Sequence, residues 1–142
     1  MKIKRTVAIV LIICVIAAVF SSCAQTEKHT FGRDVSNLVM HIVVNNRDSV
    51  YESLKSAFTD EEFDIKYKEW RQMLNEVDSI NVKMISYNTS SGGDINITEC
   101  TLGVYTEAGN FIVNAVKRSD VEGYSSFSIE PDHENVLPEN KD

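Results

Sequence analysis

A chain of 142 residues, 43% hydrophobic and 25% charged, can bury one core but not two comfortable ones. Its 21 acidic residues outweigh 14 basic ones for a net charge of −7, and an acidic surface repels phosphodiester backbones, which sets nucleic acid aside as a partner.

The chain opens on a basic head, Lys2, Lys4 and Arg5, followed by an apolar run of 14 residues from Val7 to Phe20. As a helix that run reaches about 21 Å, short of the roughly 30 Å hydrocarbon core, so a permanent span is disfavoured. Ser21, Ser22 and Cys23 come next. Charge, apolar core and small residues in that order are the secretory pattern. With a cysteine directly after them, the segment resembles the lipobox of bacterial lipoproteins, with Phe20 standing where leucine is usual. The resemblance implies a signal peptide over 1–22, cleavage between Ser22 and Cys23, and fatty chains of the palmitate kind on Cys23. It places the protein outside the cytoplasm, on the cell membrane or the outer membrane, with the bilayer as a partner through its lipid. Two acyl chains suffice for stable anchoring where one does not. Plain secretion and an uncleaved anchor are the alternatives.

Loss of the three basic leader residues takes the net charge to −10. Cys14 leaves with the leader and lipid occupies Cys23, so Cys100 stands alone and no internal disulfide is expected. It falls in an alternating pattern and reads as a small buried hydrophobe. Residues 23–30 form the lipidated cysteine and a polar tether without periodicity. Residues 31–130 are the domain, and 131–142, with two prolines and several acids, form a loose acidic tail.

Within the domain, Val35, Leu38, Val39, Ile42 and Val43 make one apolar helical stripe, broken by Asn45-Asn46. Ser49 to Glu52 reads as a capping box for a second helix, and Thr59 to Glu62 as one for a third. In the third, Phe63, Tyr67, Trp70, Leu74 and Val77 recur at spacings of four and three. The period then becomes two. Val82 to Tyr87 is a strand, Ser90 to Asp94 a turn, and Ile95 and Ile97 alternate out of phase with Cys100, Leu102 and Val104. That phase change predicts a bulge near Thr98–Glu99. Glu107 to Asn110 forms a hairpin turn before Phe111, Val113 and Ala115, and Tyr124 to Ile129 is the last strand. The fold class is α+β: three N-terminal helices packed on a curved four-stranded antiparallel meander.

The runs Ile42-Val43-Val44-Asn45-Asn46-Arg47-Asp48, Leu54-Lys55-Ser56-Ala57-Phe58 and Gly123-Tyr124-Ser125-Ser126-Phe127-Ser128-Ile129 resemble small nuclear-transport-factor-2-like domains of bacterial lipoproteins. The resemblance implies a cone with an apolar-lined hollow. Tyr67 and Trp70 are then candidates to border that hollow, the alternative being that they are core aromatics.

Other chemistry is sparse. His29, His41 and His133 have no ligand-spaced neighbours, and no metal site or cofactor is expected. His41 lies on the flank of the first stripe, solvated or lining the pocket. Asp60, Glu61, Glu62 and Asp64 suit the positive end of a helix dipole better than a cation loop. Ser90 to Gly93 lacks the following helix an anion cradle needs. No catalytic constellation assembles. The expected function is a membrane-tethered, non-catalytic binding or scaffold module. A small-ligand carrier or pocket enzyme is the alternative. A small apolar ligand or an envelope protein is the expected partner, with a homodimer as a further option.

Overall fold

A computed structural model describes residues 25–75 and 77–139. The cleavage and lipidation positions Ser22 and Cys23 lie outside the described residues. The chain divides into two compact units, Met1–Phe31 and Gly32–Asp142. In the first, the described residues 25–31 are helical rather than irregular. Gln25, Glu27 and Lys28 are good helix formers, and a helix needs no apolar stripe when all its faces are wet.

The second unit starts with helix α1, residues 32–43, whose stripe Val35, Leu38, Val39 and Ile42 is buried. α1 ends because Asn45 takes the left-handed conformation (φ 58°), so its N–H reaches the Ile42 carbonyl and that of Asn46 the His41 carbonyl. This Schellman arrangement satisfies the last carbonyls of the helix, and Asn tolerates the position better than other side-chain-bearing residues. Arg71 adds donors to the Ile42 and Val43 carbonyls at 2.9 and 2.6 Å, placing a cation at the negative end of α1.

Asn46 also starts helix α2 (Arg47–Leu54), its side chain accepting the Ser49 N–H. The expected Ser49 cap is therefore corrected: Ser49 is inside the helix. Asn46, already fixed by the end of α1, lies one residue before the first helical position. Helix α3 (Asp60–Met73) begins as its sequence implies. Thr59 accepts the Glu62 N–H while Glu62 reaches back to the Thr59 N–H at 2.9 Å. Phe63, Tyr67 and Trp70 are its buried face; Val77 is buried too, but beyond the helix.

Strands β1 (Asn81–Gly92), β2 (Ile95–Thr106), β3 (Gly109–Arg118) and β4 (Ser126–Pro131) form an antiparallel meander in that order. Directly opposed residues share a face. One face therefore carries Val82, Met84 and Tyr87, then Cys100, Leu102 and Val104, then Phe111, Val113 and Ala115, then Phe127 and Ile129. α3 covers it: the Trp70 ring meets Phe127 edge-on at 5.2 Å and Phe58 at 5.8 Å.

Two further expectations change. β1 runs on through Ser90 to Gly92, so the turn shrinks to Gly93-Asp94, with Gly93 in the left-handed region (φ 65°). The bulge is in β1, where Ile85 is the extra residue between Met84 and Ser86, and not at Thr98–Glu99. β2 keeps its register with β3 throughout, because Ile95 and Ile97 lie half-buried on the opposite face from Cys100 and need no phase change.

The opposite sheet face is polar at its centre, where Thr101 donates to Asn114 at 2.8 Å. Residues 132–138, expected to be loose, strap across it. Asp132 accepts the Val136 and Leu137 N–H groups, Leu137 comes against Gly103, and the Tyr105 hydroxyl donates to the Pro138 carbonyl at 2.8 Å. Any side chain at 103 would press on Leu137 and the Tyr105 ring.

Candidate functional site

Tyr67 and Trp70 belong to the core. Trp70 is 1% exposed between Phe58 and Phe127. Tyr67 stacks on Phe63 at 5.6 Å and its hydroxyl donates to the Asn45 side chain at 2.9 Å, tying α3 to the α1–α2 step. Burial raises the Tyr67 phenol pKa, so this hydroxyl stays a donor. The acidic run is likewise absorbed by structure. Glu62 caps α3, Asp60 accepts the Tyr51 hydroxyl at 2.6 Å, and Asp64 pairs with Arg47. Ser90 to Gly92 are strand, and His29 and His133 are exposed. Cys100 is 2% exposed on the covered sheet face.

A pocket of about 270 Å³ opens elsewhere, on the flank of α1. Asp34, Leu38 and His41 follow at i, i+4 and i+7 and so share that flank, with Asn37 beside them. Ser53 of α2, Lys117 of β3 and the Gly123-Tyr124 segment complete the wall. The wall is fixed by a close backbone approach. The Tyr124 N–H donates to the Ser53 carbonyl at 3.1 Å, and Ser125 N–H returns to Val116 at 2.8 Å. Gly123 makes this feasible: it sits at φ 76°, and a Cβ there would lie 2.6 Å from the Ser53 oxygen.

The electrostatics of the pocket are mixed. Tyr124 is buried, and burial pushes its phenol well above the usual range, with the Asp34 carboxylate adding to the effect. The Lys117 ammonium stands 4.8 Å from the centre of the Tyr124 ring. His41 Nδ1 lies 3.3 Å from the Asn46 amide nitrogen; an amide nitrogen only donates, so Nδ1 accepts and the imidazole proton sits on Nε2. Asp34 is half-buried, yet among the described residues its carboxylate has no hydrogen-bond or ion-pair partner. Asp34 and Lys117 thus face one cavity without closing on each other.

A second hollow of about 330 Å³ lies at the β2–β3 hairpin, lined by Ser79, Asn81, Tyr105, Glu107 and Asn110 among others. Its carboxylate is committed: Glu107 accepts the Asp78 N–H at 2.7 Å, which holds its pKa below the ordinary value.

His41 was the one pocket residue visible as a candidate in the sequence. Asp34, Asn37, Lys117 and Tyr124 were not, because they come from separate elements. The available signals were the spacing of Asp34 to His41 and the lone glycine before Tyr124. Among the described residues no group of three or more His, Cys, Asp or Glu side chains gathers as metal ligands, and no helix is long and apolar enough to cross a membrane. Comparison with family models, curated proteins and solved structures gives no match to this chain.

Proposed function

We propose that this chain is a lipid-anchored, extracytoplasmic protein whose α+β domain acts as a non-catalytic binding or scaffold module. The anchor rests on one observation, the order of Lys2, Lys4 and Arg5, the apolar run Val7 to Phe20, and Ser21-Ser22-Cys23. The binding reading is supported by how the aromatic residues are spent. The side chains that would line a reaction chamber under the sheet, Tyr67 and Trp70, are packed against Asn45, Phe58, Phe63 and Phe127 instead.

On this proposal the domain is a small variant of the nuclear-transport-factor-2-like cone, its interior filled rather than hollow. The β1 bulge at Ile85 supports it, since an extra residue bends a strand and increases twist. A second reading, a small-ligand carrier, is favoured by the α1-flank pocket with its unpaired Asp34. Intact mass spectrometry of the protein from its native host tests the anchor. The expected product lacks Met1 to Ser22 and carries a diacylglyceryl thioether on Cys23. An unmodified Cys23 thiol, or Met1 still in place, would refute it.

A further inference from the structure

We propose that the α1-flank pocket binds a small zwitterion of the α-amino-acid class, its ammonium on Asp34 and its carboxylate against Lys117 and His41. This deepens the binding-module reading and rests on it.

The volume is the first argument. About 270 Å³ corresponds to about nine waters at roughly 30 Å³ each, room for a molecule of amino-acid size and little more. The charges are the second. A half-buried carboxylate without a hydrogen-bond partner forgoes interactions that water or a ligand must supply, and Asp34 is in that state. Lys117 lines the same cavity but forms no ion pair with it. Opposite charges held apart across a small cavity match a molecule bearing both charges on neighbouring atoms. A simple amine would meet Lys117, and a simple carboxylate would meet Asp34; each gains one contact and one repulsion.

The neutral donors agree. His41 carries its proton on Nε2 and offers an N–H to a carboxylate, while the Asn37 amide supplies both donor and acceptor. Leu38 gives an apolar lining for a side chain. The wall that brings Tyr124 and Lys117 opposite Asp34 is held by the Ser53–Tyr124 bond at Gly123, so the groups are positioned before any ligand arrives.

The test is isothermal titration of the full chain in detergent micelles with each standard amino acid, and with methylamine and acetate as single-charge analogues. Saturable binding of at least one amino acid is expected, with both analogues about tenfold weaker or worse. Asp34→Asn and Lys117→Gln should each lower that affinity by about tenfold, with melting temperatures kept, while the distant Lys66→Gln leaves it unchanged. No saturable binding up to about 10 mM would overturn the proposal, as would affinity unmoved by both pocket substitutions. Such a failure leaves the anchor untouched, since the mass of the native product reads that separately. Chemical conversion of the bound amino acid would support the site while overturning the non-catalytic reading.

Discussion

The two sides of α1 divide the work of this molecule. Val35, Leu38, Val39 and Ile42 are at most 3% exposed and close the core. One step round the helix, Asp34, Asn37 and His41 face a water-filled corner without packing. Burial of apolar surface contributes stability in proportion to area, whereas half-buried polar groups contribute recognition and little stability. Substitutions on the two sides should therefore separate cleanly into loss of folding and loss of binding.

The largest effect is expected in the core that the stripe seals. Trp70→Ala empties the space between Phe58 and Phe127 and should destabilise the domain by about 3–5 kcal/mol, read from the urea midpoint. Gly123→Ala should follow at about 1–3 kcal/mol, because the left-handed backbone and the Ser53 carbonyl both oppose a side chain. It sharpens the comparison, since it is the one change expected to damage both stability and the pocket wall.

Smaller effects come from the caps and the strap. Thr59→Ala removes the α3 cap and should cost about 1 kcal/mol. Thr59 also holds the Glu62 carboxyl below its ordinary value through backbone and side-chain hydrogen bonds. A depressed folded-state pKa gives stability that is present above the unfolded value near 4.5 and lost as pH falls through the folded one. The variant's stability should therefore fall less steeply than that of the parent between about pH 5 and pH 3. Tyr105→Phe removes the bond to Pro138 and should cost about 1 kcal/mol, with faster amide exchange confined to the Val136 and Leu137 N–H groups.

What the sequence reveals follows the same division. Every apolar stripe expected in the three helices is buried, because a 3.6-residue or two-residue period is a local property of the chain. The Thr59 cap is legible for the same reason. The bulge is misplaced because alternation alone cannot say whether Ile95 and Ile97 change face or are half-covered on the other one. Ser49 loses its capping role to Asn46 because the end of α1 had already fixed the chain at Asn45. The strap over Gly103 was hidden since prolines and acids describe composition, while Asp132 and Tyr105 act through partners four to 33 residues away. The pocket is harder still. Asp34, Ser53, Lys117 and Tyr124 are neighbours only after the sheet and helices have met.

Adjacent residues on α1 offer the most direct trial of the account. Asp34→Asn and Val35→Ala would be compared in parallel for urea stability and for affinity toward the tightest amino acid. Val35→Ala is expected to lose on the order of 2 kcal/mol of stability with affinity kept in the folded protein. Asp34→Asn is expected to keep stability within about 0.5 kcal/mol while affinity falls about tenfold. Two variants whose stability and affinity rose or fell together would contradict the separation of core from site.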